Sequence, residues 1–266
     1  MTDPEQIGKR YPVDLALVGD ARETLQSLLS GLPPRTNGRF LGACQESMTK
    51  WRAAQSEAEQ DDRAPIRPQR LAREIARAVG PDGIVSVDVG TVTVWMARNF
   101  PVSERQRMFF SGWLATMGSG LPGAMAAQWV HPDRRVVAAV GDGGFAMTLT
   151  DFVTAVRYQL PIVVVVFNNG KLAFIQFEEE VEGFPDYGTD LVNADYAAWA
   201  RACGGAGYSV REPDQLAPTL DKAFSDRRPT VIDVFTRPDE RPMPPRLTLT
   251  QATGFAKSIL REKFFS

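Results

Sequence analysis

The residues best suited to chemistry are Gly141-Asp142-Gly143-Gly144 and, one helix and one strand later, Asn168-Asn169. Asp142 offers a hard anionic oxygen, Asn169 a neutral amide oxygen, and a neighbouring backbone carbonyl can supply a third. Magnesium selects such ligands and completes its shell with phosphate oxygens or water. Gly143 and Gly144 let the backbone approach a phosphate, and the helix start that follows presents free N–H groups. Alone, Gly-Asp-Gly is an ordinary strand-to-helix turn. The spacing to the paired asparagines makes it a candidate magnesium and diphosphate site.

The flanking pattern supplies the elements that must position these groups. Val136 to Val140 is a short apolar run, suited to a strand buried on both faces. Leu149, Phe152, Val153, Val156 and Leu160 recur at three- and four-residue steps, which predicts a helix stopped by Pro161. Ile162 to Phe167, β-branched until its last residue, predicts a central parallel strand. A parallel βαβ connection brings both strand ends to the sheet edge where open α/β folds bind ligands. Asp142 and Asn169 are therefore expected side by side.

From about Gln69 to Arg237 strands and helices alternate, predicting a parallel α/β domain. A strand is expected over Ile84 to Val87 and a helix near Tyr196 to Ala202. A strand near Tyr208 to Arg211, a helix from Gln215 to Phe224 and a strand from Thr230 to Phe235 follow. No strand is followed by G-x-G-x-x-G, which disfavours a plain dinucleotide-binding domain.

The segment Gly141 to Asn169 resembles the diphosphate-binding motif of thiamine diphosphate enzymes. The wider chain is similar to their pyruvate oxidase and quinone-dependent pyruvate dehydrogenase branch, with acetolactate synthase as a near relative. The resemblance implies that Asp142, Asn169 and the backbone of Lys171 bind magnesium, with Gly141, Gly143 and Gly144 at the diphosphate. Ser111 to Pro122 matches the stretch whose large apolar residue bends the cofactor. Met117 corresponds to that residue, and the Ala115 carbonyl to the acceptor for the pyrimidine amino group. Taken alone, Met117 reads as a core methionine in a Gly-rich loop. Asp88 to Trp95 resembles the other phosphate-side loop, in which Gly90 and Thr91 would donate to the diphosphate. Phe174 matches an aromatic position near the thiazolium and Glu178 an acidic position that handles protons, so these are the candidate catalytic residues. The run Glu178-Glu179-Glu180 reads equally well as a solvated helix face.

The resemblance covers nearly all of the chain but only about the C-terminal half of a typical family member. Residues 1–55 resemble the tail of the central domain, which carries FAD in the oxidase branch. There Val13 to Asp20 predicts a strand and turn, followed by a helix through Leu25, Leu28 and Leu29. Residues 56–68 are polar and read as a linker, residues 69–237 as the cofactor-binding domain, and residues 238–266 as a tail. The implied reaction is decarboxylation of pyruvate or another 2-keto acid, with oxidation or carboligation. It requires a pyrimidine-binding domain, whose glutamate activates the cofactor, from a homo-oligomer or a partner subunit. FAD is expected only in a full-length assembly. The alternative is a truncated or split product, folded but catalytically inactive.

Composition sets the remaining bounds. The chain has 266 residues and a formal net charge of -2, which gives no reason to invoke nucleic acid. Cys44 and Cys203 form no CxxC pair and suit a reducing, cytoplasmic setting. His131 is the only histidine and lies in Val130-His131-Pro132-Asp133, a surface turn. No membrane-spanning run is visible. A tail helix with Phe255, Ile259 and Leu260 on one face is expected to pack on its own domain rather than on lipid.

Overall fold

The computed structural model describes residues 3–34, 38–243 and 248–265. The chain divides into two compact units, Met1–Arg52 and Ala53–Ser266. In the first, helix α1 (Ala21–Gly31) is capped by Asp20, whose carboxylate accepts from the Arg22 and Glu23 N–H groups. Helix α2 (Arg39–Glu59) follows. The strand expected over Val13 to Asp20 does not form. Val13, Leu15, Leu17 and Val18 are exposed, and no described residue pairs with them to complete a hydrogen-bond ladder.

The second unit is a parallel sheet between two helical layers. Helix α3 (Pro68–Val79) opens with Pro68 at its first turn and ends at Gly80, whose φ of 81° releases the chain. Strand β1 (Ile84–Val87), helix α4 (Thr91–Asn99), strand β2 (Arg107–Phe110), helix α5 (Gly120–Val130) and strand β3 (Val136–Gly141) follow. Helix α6 (Asp142–Thr148) starts directly on the last strand residue. A 3-10 turn, Leu149–Asp151, then separates it from helix α7 (Phe152–Arg157). The helix expected over Leu149 to Leu160 is thus shorter: its first turn is 3-10, and it ends at Arg157 ahead of the left-handed φ of 53° at Gln159.

The remaining elements are strand β4 (Val163–Asn168), helices α8 (Ala173–Glu182) and α9 (Tyr196–Ala202), strand β5 (Ala206–Val210), helix α10 (Leu216–Ser225), strand β6 (Thr230–Phe235) and helix α11 (Leu249–Phe265). The sheet order is β2-β1-β3-β4-β6-β5, and every pairing is parallel.

Alternation along the strands builds two cores. Val85, Val87, Val137, Ala139, Val163 and Val165 face α3, α4 and α10 through Leu71, Ile75, Trp95, Met96, Leu216 and Leu220. Val136, Ala138, Val140, Val164 and Val166 face the opposite layer through Leu121, Ala124, Phe145, Phe152 and Tyr196. Each such large apolar side chain contributes roughly 1.5–3 kcal/mol when fully buried. The all-valine run of β4 is therefore a strand covered on both faces.

Residues 56–68, read as a linker, carry the end of α2 and a buried isoleucine. Ser56 to Glu59 complete α2, and Ile66 is fully buried and bridges Thr236 beside the sheet. In α11, Phe255 packs its ring 5.6 Å from Phe177 of α8. The inward face of α11 is Gly254, Phe255 and Ser258, while Ile259 and Leu260 are exposed. The expected apolar stripe is replaced because Gly254 lets the helix press against the Val181 carbonyl, where a side chain would collide. No helix among the described residues is long and apolar enough to cross a membrane.

Candidate functional site

Because β1 pairs with β2 on one side and β3 on the other, the chain reverses its winding direction between β1 and β3. A crevice opens beyond the carboxyl ends of strands at such a point. A cleft of about 570 Å³ lies there. Its walls include Gly90 and Thr91 after β1, Ala115 and Met117 before α5, and Gly141 to Gly144 after β3. Asn169 and Lys171 after β4, with Phe174 and Glu178 on α8, complete it. Every residue that the resemblance assigns to the cofactor, metal or catalysis lines this one cleft, whereas Asn168 does not. Phe174 and Glu178, four apart on α8, share a helix face.

The two asparagines divide their work. Asn168 is buried, and its Nδ2 donates to Asp233 Oδ1 at 2.9 Å. Asn169 faces the cleft, and its Oδ1 accepts from the Lys171 N–H at 3.1 Å, leaving a second lone pair. Asp142 is buried at the first turn of α6. Its Oδ2 accepts from the Gly170 N–H at 2.7 Å and from Asn193 Nδ2 at 2.8 Å, and its Oδ1 accepts from the Gly143 N–H at 3.0 Å. Burial raises the Asp142 carboxyl above its ordinary range, against the pull of these donors.

Glycines shape the walls. A Cβ at Gly90, Gly141 or Gly170 would meet nothing, so the backbone itself borders open space there. Gly90 has a φ of 140°, which a side chain rarely tolerates, and it leads straight into α4. At Gly143 a Cβ would stand 3.0 Å from Leu172 and 3.2 Å from the Met117 methyl. Ala115 adopts a left-handed φ of 49°, a strained setting for a residue with a Cβ.

Four further residues take part, three of them without a sequence signal for such a role. Asp88 is buried behind the cleft, where its Oδ1 accepts from the N–H groups of Val89, Gly118 and Ser119 at 2.8, 2.9 and 3.1 Å. It thereby ties the Met117 loop to β1, and burial pushes its carboxyl upward. Asp233 is raised to about 6, mainly by burial. Tyr196 is pushed up to about 12 by burial and by the nearby Asp142 and Asp233 carboxylates. Asn193, from the loop before α9, joins Asp142 to Asn168. Only the Asp88 segment had a sequence cue, its position at the end of an apolar strand.

Lys171 is the one cation among the described residues lining the cleft, and it is already engaged. Its Nζ lies 2.6 Å from both Asp186 Oδ2 and Asp190 Oδ1. The lining thus combines a buried carboxylate, an amide oxygen and glycine backbone without a free side-chain cation. Such a donor set suits a hard divalent ion carrying an anionic ligand. His131 takes no part; its N–H caps α5 on the Ala127 carbonyl.

Known proteins agree with this geometry. Residues 88–234 match the family model described as the thiamine pyrophosphate enzyme C-terminal TPP binding domain. The chain is 44% identical over 263 residues to the Bacillus subtilis protein named "Putative thiamine pyrophosphate-containing protein YdaP", covering 99% of this chain and 46% of that one. It is 33% identical over 261 residues to pyruvate oxidase of Lactiplantibacillus plantarum, covering 97% of this chain and 43% of that enzyme. Identity to the acetolactate synthase large subunit of Haemophilus influenzae is 28% over 250 residues, covering 91% and 43%. The chain spans less than half the length of these relatives. With a matching family model over more than half its length and the parallel sheet that carries the cleft, the chain belongs to the thiamine pyrophosphate enzymes and comprises their C-terminal cofactor-binding domain.

Proposed function

We propose that this chain is the thiamine diphosphate- and magnesium-binding component of a pyruvate oxidase-like enzyme acting on pyruvate or another 2-keto acid. The observation that carries the reading is that Asp142 and Asn169 line one cleft whose lining cation, Lys171, is neutralised by two aspartates. A diphosphate there needs a divalent counter-ion, and these oxygens fit one. Asp142, Asn169 and the Lys171 carbonyl would hold the metal. Backbone at Gly90 and Gly141, with the Thr91 hydroxyl and Gly143, would border the diphosphate. A cation would also reverse the raised affinity of Asp142 for a proton.

Bound thiamine diphosphate supplies a nucleophilic carbon and an electron sink for 2-keto acid decarboxylation. The protein's share is to position and to exclude water. Met117 presses on the Gly143 side of the cleft, where it would hold the cofactor bent. Phe174, which also lines the cleft, would shield it from water, and Glu178, one helical turn further on the same helix face, would move a proton. A pyrimidine-binding domain from another copy or a partner subunit completes the site.

Calorimetric titration with thiamine diphosphate, with and without magnesium, tests this. Binding should require magnesium and should be lost in Asp142→Ala. Equal affinity without the metal, or in that variant, would overturn the assignment.

A further inference from the structure

We infer that Asn193 is a positioning residue of the metal site, fixing the two ligand-bearing strand ends relative to each other; the inference rests on the metal reading above. Asp142 follows β3 and Asn169 follows β4. Neither side chain hydrogen-bonds to the other among the contacts seen. The β3–β4 ladder and the Gly170 N–H on Asp142 join the strand ends through backbone, and Asn193 adds a side-chain bridge between them. Its Nδ2 donates to Asp142 Oδ2 at 2.8 Å and to Asn168 Oδ1 at 2.9 Å, which uses both amide hydrogens.

The amide can face only one way. Turned over, its oxygen would confront the Asp142 carboxylate and the Asn168 carbonyl oxygen, two acceptors with no proton between. Its Oδ1 instead lies 3.0 Å from the Tyr196 hydroxyl, which is also 3.1 Å from the Asp142 main-chain oxygen. Tyr196 is buried and edge-stacked on Phe145, with ring centroids 5.1 Å apart, so this anchor belongs to the rigid core. On the far side, Asn168 is held in turn by Asp233.

The consequence for Asp142 is rotational. Asn193 and Gly170 occupy Oδ2, whereas Oδ1 accepts only the local Gly143 N–H. Oδ1 therefore keeps a lone pair for an incoming cation, and the carboxylate need not reorganise to offer it. Partners behind metal ligands change metal affinity by about 10- to 100-fold when removed.

The test uses Asn193→Ala and Tyr196→Phe in this chain, each with two readouts. One is the magnesium concentration giving half-maximal thiamine diphosphate binding. The other is the melting midpoint without metal or cofactor. Asn193→Ala should raise the magnesium requirement about tenfold or more, while binding recovers at saturating metal. Tyr196→Phe, which keeps the ring in the core, should raise it a few-fold. A magnesium requirement within twofold of the unchanged chain, with or without a lower melting midpoint, would reduce Asn193 to a structural role and overturn the inference. If Asn193→Ala does not fold, Tyr196→Phe decides alone, and no shift overturns it. Absence of magnesium-dependent binding in the unchanged chain would instead overturn the functional reading, and this inference with it.

Discussion

The Asp88 carboxylate packs directly onto the Cα of Gly144: a Cβ there would overlap Oδ2. The start of α6 and the turn after β1 thus touch through a buried carboxylate and a residue without a side chain. The same carboxylate gathers three N–H groups, two of them from the loop that carries Met117.

Gly144→Ala should accordingly displace Asp88 and loosen that loop. Overpacking of this kind costs about 1–3 kcal/mol. Urea denaturation should show a loss in that range, and calorimetry a weaker affinity for thiamine diphosphate. A variant as stable as the unchanged chain would contradict the contact.

Asp233 gives a pH dependence with a definite sign. Its folded-state pKa, raised from 3.8 to about 6, means the folded chain binds more protons than the unfolded one between those values. Its contribution is fully present below pH 4 and lost as pH rises through about 6, a change of order 2 kcal/mol. Asp233→Asn keeps the acceptor for Asn168 and removes the titration. Relative to the variant, the unchanged metal-free chain should therefore lose stability from pH 4 to 6. Parallel pH profiles of the two would refute this.

Arg241 and Glu180 form a two-pronged ion pair in which the Glu180 side chain is only 4% exposed. Removing the guanidinium strands a buried carboxylate, and Arg241 is itself 40% exposed, which tempers the cost. Arg241→Met should destabilise by about 2 kcal/mol. Hydrogen exchange should quicken in α8, the helix that carries Phe174 and Glu178.

Met117→Ala should widen the cleft beside Gly143 and weaken thiamine diphosphate binding about tenfold, equivalent to ~1.4 kcal/mol. Met117→Leu, similar in volume, should largely restore it. Equal affinities for all three chains would remove Met117 from the site.

The elements legible in the sequence were those with local punctuation. Pro161 and the valine run marked β4, and Thr230 to Phe235 and Tyr196 to Ala202 form as a strand and a helix over the expected residues. The strand over Val13 to Asp20 failed because alternation marks a strand only when a neighbour exists to receive its hydrogen bonds. In the site, the glycines and the Asp142 and Asn169 pair announced themselves by type and spacing. Asn193 did not: beside Asp195, whose carboxylate caps α9, it reads as ordinary loop, and its partners lie 51 and 25 residues away. Tyr196 likewise reads as core until its hydroxyl is located at Asp142 and Asn193. The tail misled because its small residues, Gly254 and Ser258, turn inward in place of Ile259 and Leu260.

The double ion pair of Lys171 has a thermodynamic corollary. With that ammonium held between Asp186 and Asp190, a diphosphate finds no spare positive charge on the described walls of the cleft, and the buried Asp142 carboxylate repels it. On the proposed reading, metal and cofactor would enter as one stoichiometric unit rather than as two independent guests. Below metal saturation, the logarithm of the apparent association constant for thiamine diphosphate should climb with the logarithm of free magnesium at a slope near one. On that reading the ion would set the occupancy of the site as much as the vitamin does.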